Sequence, residues 1–179
     1  MILVDENDAQ TGTMEKMEAH RKGLLHRAFS VFIFNKKGEF LLQQRAMQKY
    51  HNGGLWTNTC CSHPFPGEDI QDAAKRRLKE EMGFQTELNH LFSFTYKATF
   101  DNGLTEHEFD HVFTGTYDGA INADKNEVND YCFKNPDDIQ SSLKDHGEKY
   151  TEWFKIALPK IISFYEENFN QKINSGLHF

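Results

Sequence analysis

Glu68-Asp69-Ile70-Gln71-Asp72-Ala73-Ala74-Lys75-Arg76-Arg77-Leu78-Lys79-Glu80-Glu81-Met82-Gly83 is the stretch whose pattern organises the rest of the chain. Ile70, Ala73, Ala74, Leu78 and Met82 recur at the spacing of one helix face, and Gly83 stands where a helix stops. The spacing therefore predicts a helix from Glu68 to Met82. The remaining faces are dense in charge. Arg77 and Glu81 are four residues apart and share a face near Ala73 and Ala74; a plain surface ion pair, worth roughly a few tenths of a kcal/mol, would give the same pattern.

Upstream, past the turn at Pro66-Gly67, lies Trp56-Thr57-Asn58-Thr59-Cys60-Cys61-Ser62-His63-Pro64. In an extended segment residues i and i+2 face the same way, so the Cys61 thiol and the His63 imidazole can serve one site. A thiolate is the reactive form of cysteine, and an imidazole is a common metal ligand or proton carrier. A buried thiol pair beside a satisfied core histidine accounts for the same residues, and the segment alone leaves both readings open. Farther upstream, the β-branched and aromatic run Ala28 to Phe34, a turn at Asn35-Lys36-Lys37-Gly38 and the run Glu39 to Arg45 predict a β-hairpin. Ala46 to Gly54 is a polar loop, with Arg45 and Lys49 beside it. Residues 11–20 open on a turn signal and fit neither a helix nor a strand decisively. The interval from His20 to His26 matches neither a helical i, i+4 pair nor a zinc finger, so spacing alone makes them surface histidines.

Downstream, Leu91 to Phe100, a turn at Asp101-Asn102-Gly103, and Glu106 to Tyr117 predict a second hairpin. Glu106, Glu108 and Asp110 alternate with His107, Phe109 and His111, which lines three carboxylates along one face. Taken by itself, that strand reads most simply as having a solvated outer face. Glu127 to Phe133 predicts a further strand, and Pro136-Asp137-Asp138-Ile139 opens a helix with the residues that suit a first turn. A last helix runs from Tyr150 to Phe169 with an interruption near Pro159. Its stripe of Trp153, Phe154, Ala157, Leu158, Ile161, Ile162, Tyr165 and Phe169 predicts a core role for each aromatic. Residues 170–179 read as a frayed tail.

A chain of 179 residues suits one domain, 1–179, with a substantial core. Charged residues at 26% and aromatics at 13% fit a soluble, well-packed protein, and no apolar run approaches a membrane span. The N-terminus lacks the pattern of a leader, which makes the cytoplasm the default location. Three cysteines, two of them adjacent, form no disulfide framework. The net charge of −7 argues against a nucleic-acid partner and requires any anion site to be locally basic.

The stretch from Ser62 to Gly83 resembles the Nudix box, with Glu68, Arg76, Leu78, Glu80, Glu81 and Gly83 on pattern, Ser62 in place of its first glycine, and Arg77 in place of the first glutamate of its Arg-Glu pair. Losing that carboxylate weakens the metal cluster with which a Nudix hydrolase activates water. Thr11-Gly12-Thr13, Gly23 to Val31, Gln44-Arg45, Trp56 to Pro64 and Glu106-x-Glu108 together resemble the type 1 isopentenyl-diphosphate delta-isomerase family, over nearly the whole chain. The resemblance implies a three-layer α/β/α Nudix-like sandwich with a mixed sheet. It also implies interconversion of two isoprenoid diphosphates by a proton shift through a tertiary cation. Cys61 and Glu108 would be the opposed acid and base, Tyr96 a hydrogen-bonding partner, and Trp153 a π face for the cation. It puts His20, His26, His63, Glu106 and Glu108 around Mn²⁺, Mg²⁺ or Zn²⁺, a diphosphate-bridging Mg²⁺ on Glu81, and the phosphates against Lys16, Arg45, Lys49 and Arg77. The expected partner is a small isoprenoid diphosphate, with neither nucleic acid nor membrane, and the expected state is a monomer or homodimer. A Nudix diphosphate hydrolase is the alternative.

Overall fold

The computed structural model describes residues 1–49, 51–100 and 102–175; Asp101 of the second predicted turn, the side chain of Phe169, and residues 176–179 of the predicted tail lie outside the described residues. In chain order the elements are β1 (Ile2–Val4), β2 (Gln10–Thr13), α1 (Lys16–Lys22), β3 (His26–Phe34), β4 (Phe40–Arg45), β5 (Trp56–Thr57), β6 (Cys60–Ser62) and α2 (Ile70–Met82). There follow β7 (Asn89–Thr99), β8 (Thr105–Thr116), β9 (Val128–Lys134), α3 (Pro136–His146), a short 3-10 turn and α4 (Glu152–Ser175).

Strand β3 is the middle of the molecule, buried on both faces from Ala28 to Phe34. Successive strand side chains point to opposite faces, and the two cores divide accordingly. Phe32 and Phe34, with Phe40 and Leu42 of β4, pack against Trp153, Phe154, Leu158 and Ile161 of α4. Phe29, Val31 and Ile33, with Leu41, pack against Ala73, Ala74, Leu78 and Met82 of α2. Each fully buried side chain of this size contributes roughly 1.5–3 kcal/mol, so apolar burial on both faces fixes the α/β/α layering.

The sheet has nine strands and is mixed: β3 runs parallel to β8 from His26↔Glu108 to Phe34↔Thr116 and antiparallel to its other neighbours. The first predicted hairpin is only partly a hairpin. β3 and β4 pair at Ile33↔Leu41 and Phe34↔Phe40 and then diverge, because β6 takes the edge of β3 while β4 pairs with β5 and β9. That divergence opens the sheet above Ser30. The second hairpin pairs β7 with β8 along its length.

Helix α2 begins at Ile70, two residues later than predicted, because Asp69 caps it by accepting from the backbone N–H groups of Gln71 and Asp72. Gly83 ends it at φ 76°, where a Cβ would come within 2.2 Å of the Asn122 carbonyl oxygen. Residues 11–20 resolve into β2 and α1. Helix α4 passes through Pro159 without the predicted interruption and extends to Ser175, so residues 170–175 are helical. Pro159 is exposed, while Phe154, Ala157, Leu158, Ile161 and Ile162 on both sides of it are buried, so the amide hydrogen bond it removes lies on the solvent side.

Candidate functional site

A cavity opens where β3 and β4 part, and it gathers side chains from almost every element. Cys61 comes from β6, Glu106 and Glu108 from β8, Tyr96 from β7, Trp153 from α4, Arg77 and Glu81 from α2, and Lys16 from α1. Arg45, Lys49 and His63 enter from strand ends and loops. Every residue to which the isomerase resemblance gave a site role lines this cavity except His20 and His26, which lie directly behind His63.

Both of those histidines are buried, at 1% and 0% exposure, which corrects the surface reading drawn from their spacing. The reason is a helix–turn–strand connection. His20 is in the last turn of α1, Gly23 reverses the chain at φ 60°, and His26 opens β3, so the two rings stand 5.1 Å apart. Lys16, one helical turn before His20, shares its face. The carboxylate stripe of β8 is corrected in the same sense. Glu106, Glu108 and Asp110 are 4%, 8% and 1% exposed, because the parallel pairing with β3 turns that face inward beneath α4.

Among the described residues, His20, His26, His63 and Glu108 offer ligand atoms that all lie within 4.8 Å of one another. His26 Nδ1 is 2.8 Å from the Leu24 carbonyl, so it carries the hydrogen and the Nε2 lone pair faces Glu108 Oε1 at 3.4 Å. His63 Nε2 approaches the same oxygen at 3.0 Å. Lone pairs converging on a carboxylate in a buried site call for a cation between them, and the donor set suits a borderline divalent ion. Burial pushes His20 down to about 4 and His63 down to about 3, which keeps these imidazoles in the neutral, ligating form.

Glu106 stands outside that group. Its Oε1 meets His51 Nε2, and its Oε2 accepts from Tyr96 Oη at 3.1 Å, while the same hydroxyl lies 2.8 Å from Glu108 Oε2. Burial and the nearby Glu108 push Glu106 up to about 8. Burial alone would raise Glu108 as well, but the His26 and His63 rings set against its Oε1 hold it well below the usual carboxylate range. Burial raises the Cys61 thiol, which therefore keeps its hydrogen at neutral pH, with Arg45 Nη1 at 3.9 Å from its sulfur. Trp153 donates Nε1–H to Asn58 Oδ1 at 3.1 Å and lies under the Arg45 guanidinium.

The opposite wall is a web of ion pairs. Arg77 meets Glu80 at 2.7 Å, Glu81 at 2.5 Å and Glu127 at 3.4 Å, and Lys49 also pairs with Glu127. Gln43 holds the other oxygen of Glu81 at 3.0 Å. Arg77 and Glu81 are thus not a solvent-facing pair, since the glutamate side chain is only 6% exposed. Gln43, His51 and Glu127 are lining residues that the sequence pattern did not single out. The i, i+2 spacing of Leu41 and Gln43, which puts a polar side chain on an inward face of β4, was a usable signal for the first; the other two sit in loops without periodicity.

Known proteins resemble this chain in sequence and in fold. A NUDIX domain is recognised over residues 24–154. An isopentenyl-diphosphate Delta-isomerase of Pectobacterium atrosepticum is 49% identical over 166 residues, covering 93% of this chain and 93% of that protein. Isopentenyl-diphosphate Delta-isomerase 2 of Aromatoleum aromaticum is 47% identical over 163 residues, covering 91% and 86%. The crystal structure of DR0079 from Deinococcus radiodurans superposes with a TM-score of 0.68 at 17% identity, covering 81% of this chain and 88% of that one, which supports the fold alone. With relatives this similar along nearly its whole length, the chain belongs to the isopentenyl-diphosphate Delta-isomerase family, built on a NUDIX domain.

Proposed function

We propose that this chain interconverts isopentenyl diphosphate and dimethylallyl diphosphate by moving a proton across an allylic unit through a tertiary carbocation. The observation that carries the reading is the position of Cys61 and Glu108 on opposite edges of β3, Cys61 opposite Ser30 and Glu108 opposite His26. Two strand spacings, about 10 Å, separate them laterally, and both side chains face one cavity. A proton shift of this kind needs an acid on one side of the alkene and a base on the other, because one group does not easily reach both faces.

In this reading one of the pair delivers a proton to a terminal carbon and the other removes one across the cation. Tyr96 Oη, in contact with both Glu106 and Glu108, helps a carboxyl group exchange its proton. The buried Trp153 ring faces the cationic carbon, an attraction of about 2 kcal/mol when desolvated. Lys16, Arg45, Lys49 and Arg77 hold the diphosphate. When bound, Mn²⁺, Mg²⁺ or Zn²⁺ among the histidines, with Glu106 and Glu108 as the carboxylates nearest them, and Mg²⁺ at Glu81, would supply positive charge for the carboxylates and phosphates. Among the described residues no helix is long and apolar enough to cross a membrane. One domain acting in the cytoplasm, as monomer or homodimer and without nucleic acid, belongs to the same proposal.

The hydrolase alternative is disfavoured by Arg77, whose guanidinium occupies Glu80 and Glu81 where a hydrolase needs carboxylates for metal. Product analysis decides between them. Isopentenyl diphosphate with Mg²⁺ should yield dimethylallyl diphosphate and no free phosphate; release of phosphate without isomerisation would overturn the proposal.

A further inference from the structure

Glu106 is two residues from Glu108 on the same buried face of β8, yet only Glu108 joins the histidine cluster. The difference lies in what holds the Glu106 carboxylate. Tyr96 takes one oxygen and His51 the other, so its rotation is fixed from both sides. His51 comes from the loop after β4, where its carbonyl accepts from Arg45 Nη2 at 3.4 Å. Its side chain is 8% exposed, and its ring lies 5.6 Å from that of Phe100, 6.4 Å from Trp153 and 6.0 Å from His20. Packing on three sides makes it a stiff strut.

We propose that His51 is a positioning residue for the metal centre: by donating Nε2–H to Glu106 it fixes that carboxylate beside the His20, His26, His63 and Glu108 cluster and so sets the affinity of the cation bound there. This rests on the proposed metal reading. Two carboxylates on one strand face would otherwise be free to rotate independently, and a site with a wandering second carboxylate binds its ion less well. Partners that orient a ligating or neighbouring carboxylate typically account for about 10- to 100-fold in metal affinity. A loop residue with no periodic signal would then do the same work for Glu106 that the Leu24 carbonyl does for His26.

Mn²⁺ binding to metal-stripped protein, followed by calorimetry and by the electron paramagnetic resonance of the ion, tests this without reference to turnover. His51→Ala should weaken Mn²⁺ binding by about 10- to 100-fold and broaden the bound-ion spectrum. His51→Gln should restore most of the affinity, because the glutamine amide presents an N–H near the position of Nε2. Wild-type affinity in His51→Ala overturns the proposal, and so does a His51→Gln that behaves like the alanine variant. A wild-type protein that binds no Mn²⁺ overturns the metal reading as well, which separates the two failures.

Discussion

The two walls of the cavity solve opposite electrostatic problems. The wall built from α1, β3, β6 and β8 is buried and rich in acceptors, with neutral imidazoles and carboxylates converging on each other. The wall built from α2 and the loops is half-exposed and rich in cations that are already paired: Arg77 touches three carboxylates, and Glu127 holds both Arg77 and Lys49. The first wall is short of positive charge. The second holds it in ion pairs, of which those to Glu80 and Glu127 are partly hydrated, worth little and able to yield to a phosphate. Under the proposed function, a chain of net charge −7 thereby keeps a local anion site, with its carboxylates serving as temporary partners for the cations.

The sharpest way to break this comparison is within the first wall, where Cys61 and Glu108 should fail differently. Cys61→Ala should reduce isomerisation by about 10²- to 10⁴-fold or more while metal content stays at the wild-type level, since the thiol is not one of the clustered ligands. Glu108→Gln should lose comparable activity and metal affinity together, because the amide keeps the shape without the charge. Turnover and metal content measured on one sample decide the matter. Near wild-type turnover by metal-loaded Cys61→Ala would remove the thiol from the chemistry.

A second test uses acid. His20 and His63 are depressed by burial to about 4 and about 3 in the folded protein, against about 6.5 when unfolded. The unfolded chain therefore takes up protons first as pH falls, and stability that is fully present above about pH 6.5 is lost progressively down to the folded values. Metal-free protein should lose on the order of a few kcal/mol between pH 7 and pH 4, a melting shift of roughly 2–4 °C for each kcal/mol. Metal-loaded protein should melt higher at pH 7 and fall more steeply, since the ligands must be deprotonated to bind. A melting temperature independent of pH over that range would mean that the first wall is not a set of buried neutral imidazoles.

How much of this was legible in the sequence depends on the range over which each feature is determined. The helix over Ile70–Met82, the stop at Gly83 and the β7–β8 hairpin are local and could be read from periodicity and turn residues. The inward face of Glu106, Glu108 and Asp110 could not, since alternation names two faces and only pairing with β3, some eighty residues earlier, chooses between them. The meeting of His20 and His26 depends on a turn at Gly23 whose packing against Thr105 is equally remote. Family resemblance supplied these residues where spacing did not. His51 and Glu127 had neither kind of signal.

The smallest expected effect belongs to the second wall and concerns Arg77. Charge reversal to glutamate would put a fourth carboxylate beside Glu80, Glu81 and Glu127 and would test folding more than binding. Arg77→Gln is the better probe, being of similar reach, uncharged, and still able to donate to Glu81. A hydrogen bond to a charged group contributes about 1.5–3 kcal/mol, so its loss should raise KM for isopentenyl diphosphate by about 10- to 100-fold. Turnover at saturation should change little, because the proposed function has the reacting carbons face Cys61, Glu108 and Trp153 on the other side of the cavity. Inorganic diphosphate, which carries the same anion without the alkene, should weaken as an inhibitor in parallel. If KM and diphosphate inhibition both stay at wild-type values while the melting temperature falls, Arg77 is only a structural tie among the three glutamates. The anion site would then reduce to Lys16, Arg45 and Lys49, and the exchangeable ion-pair web would no longer explain how an acidic chain binds a diphosphate.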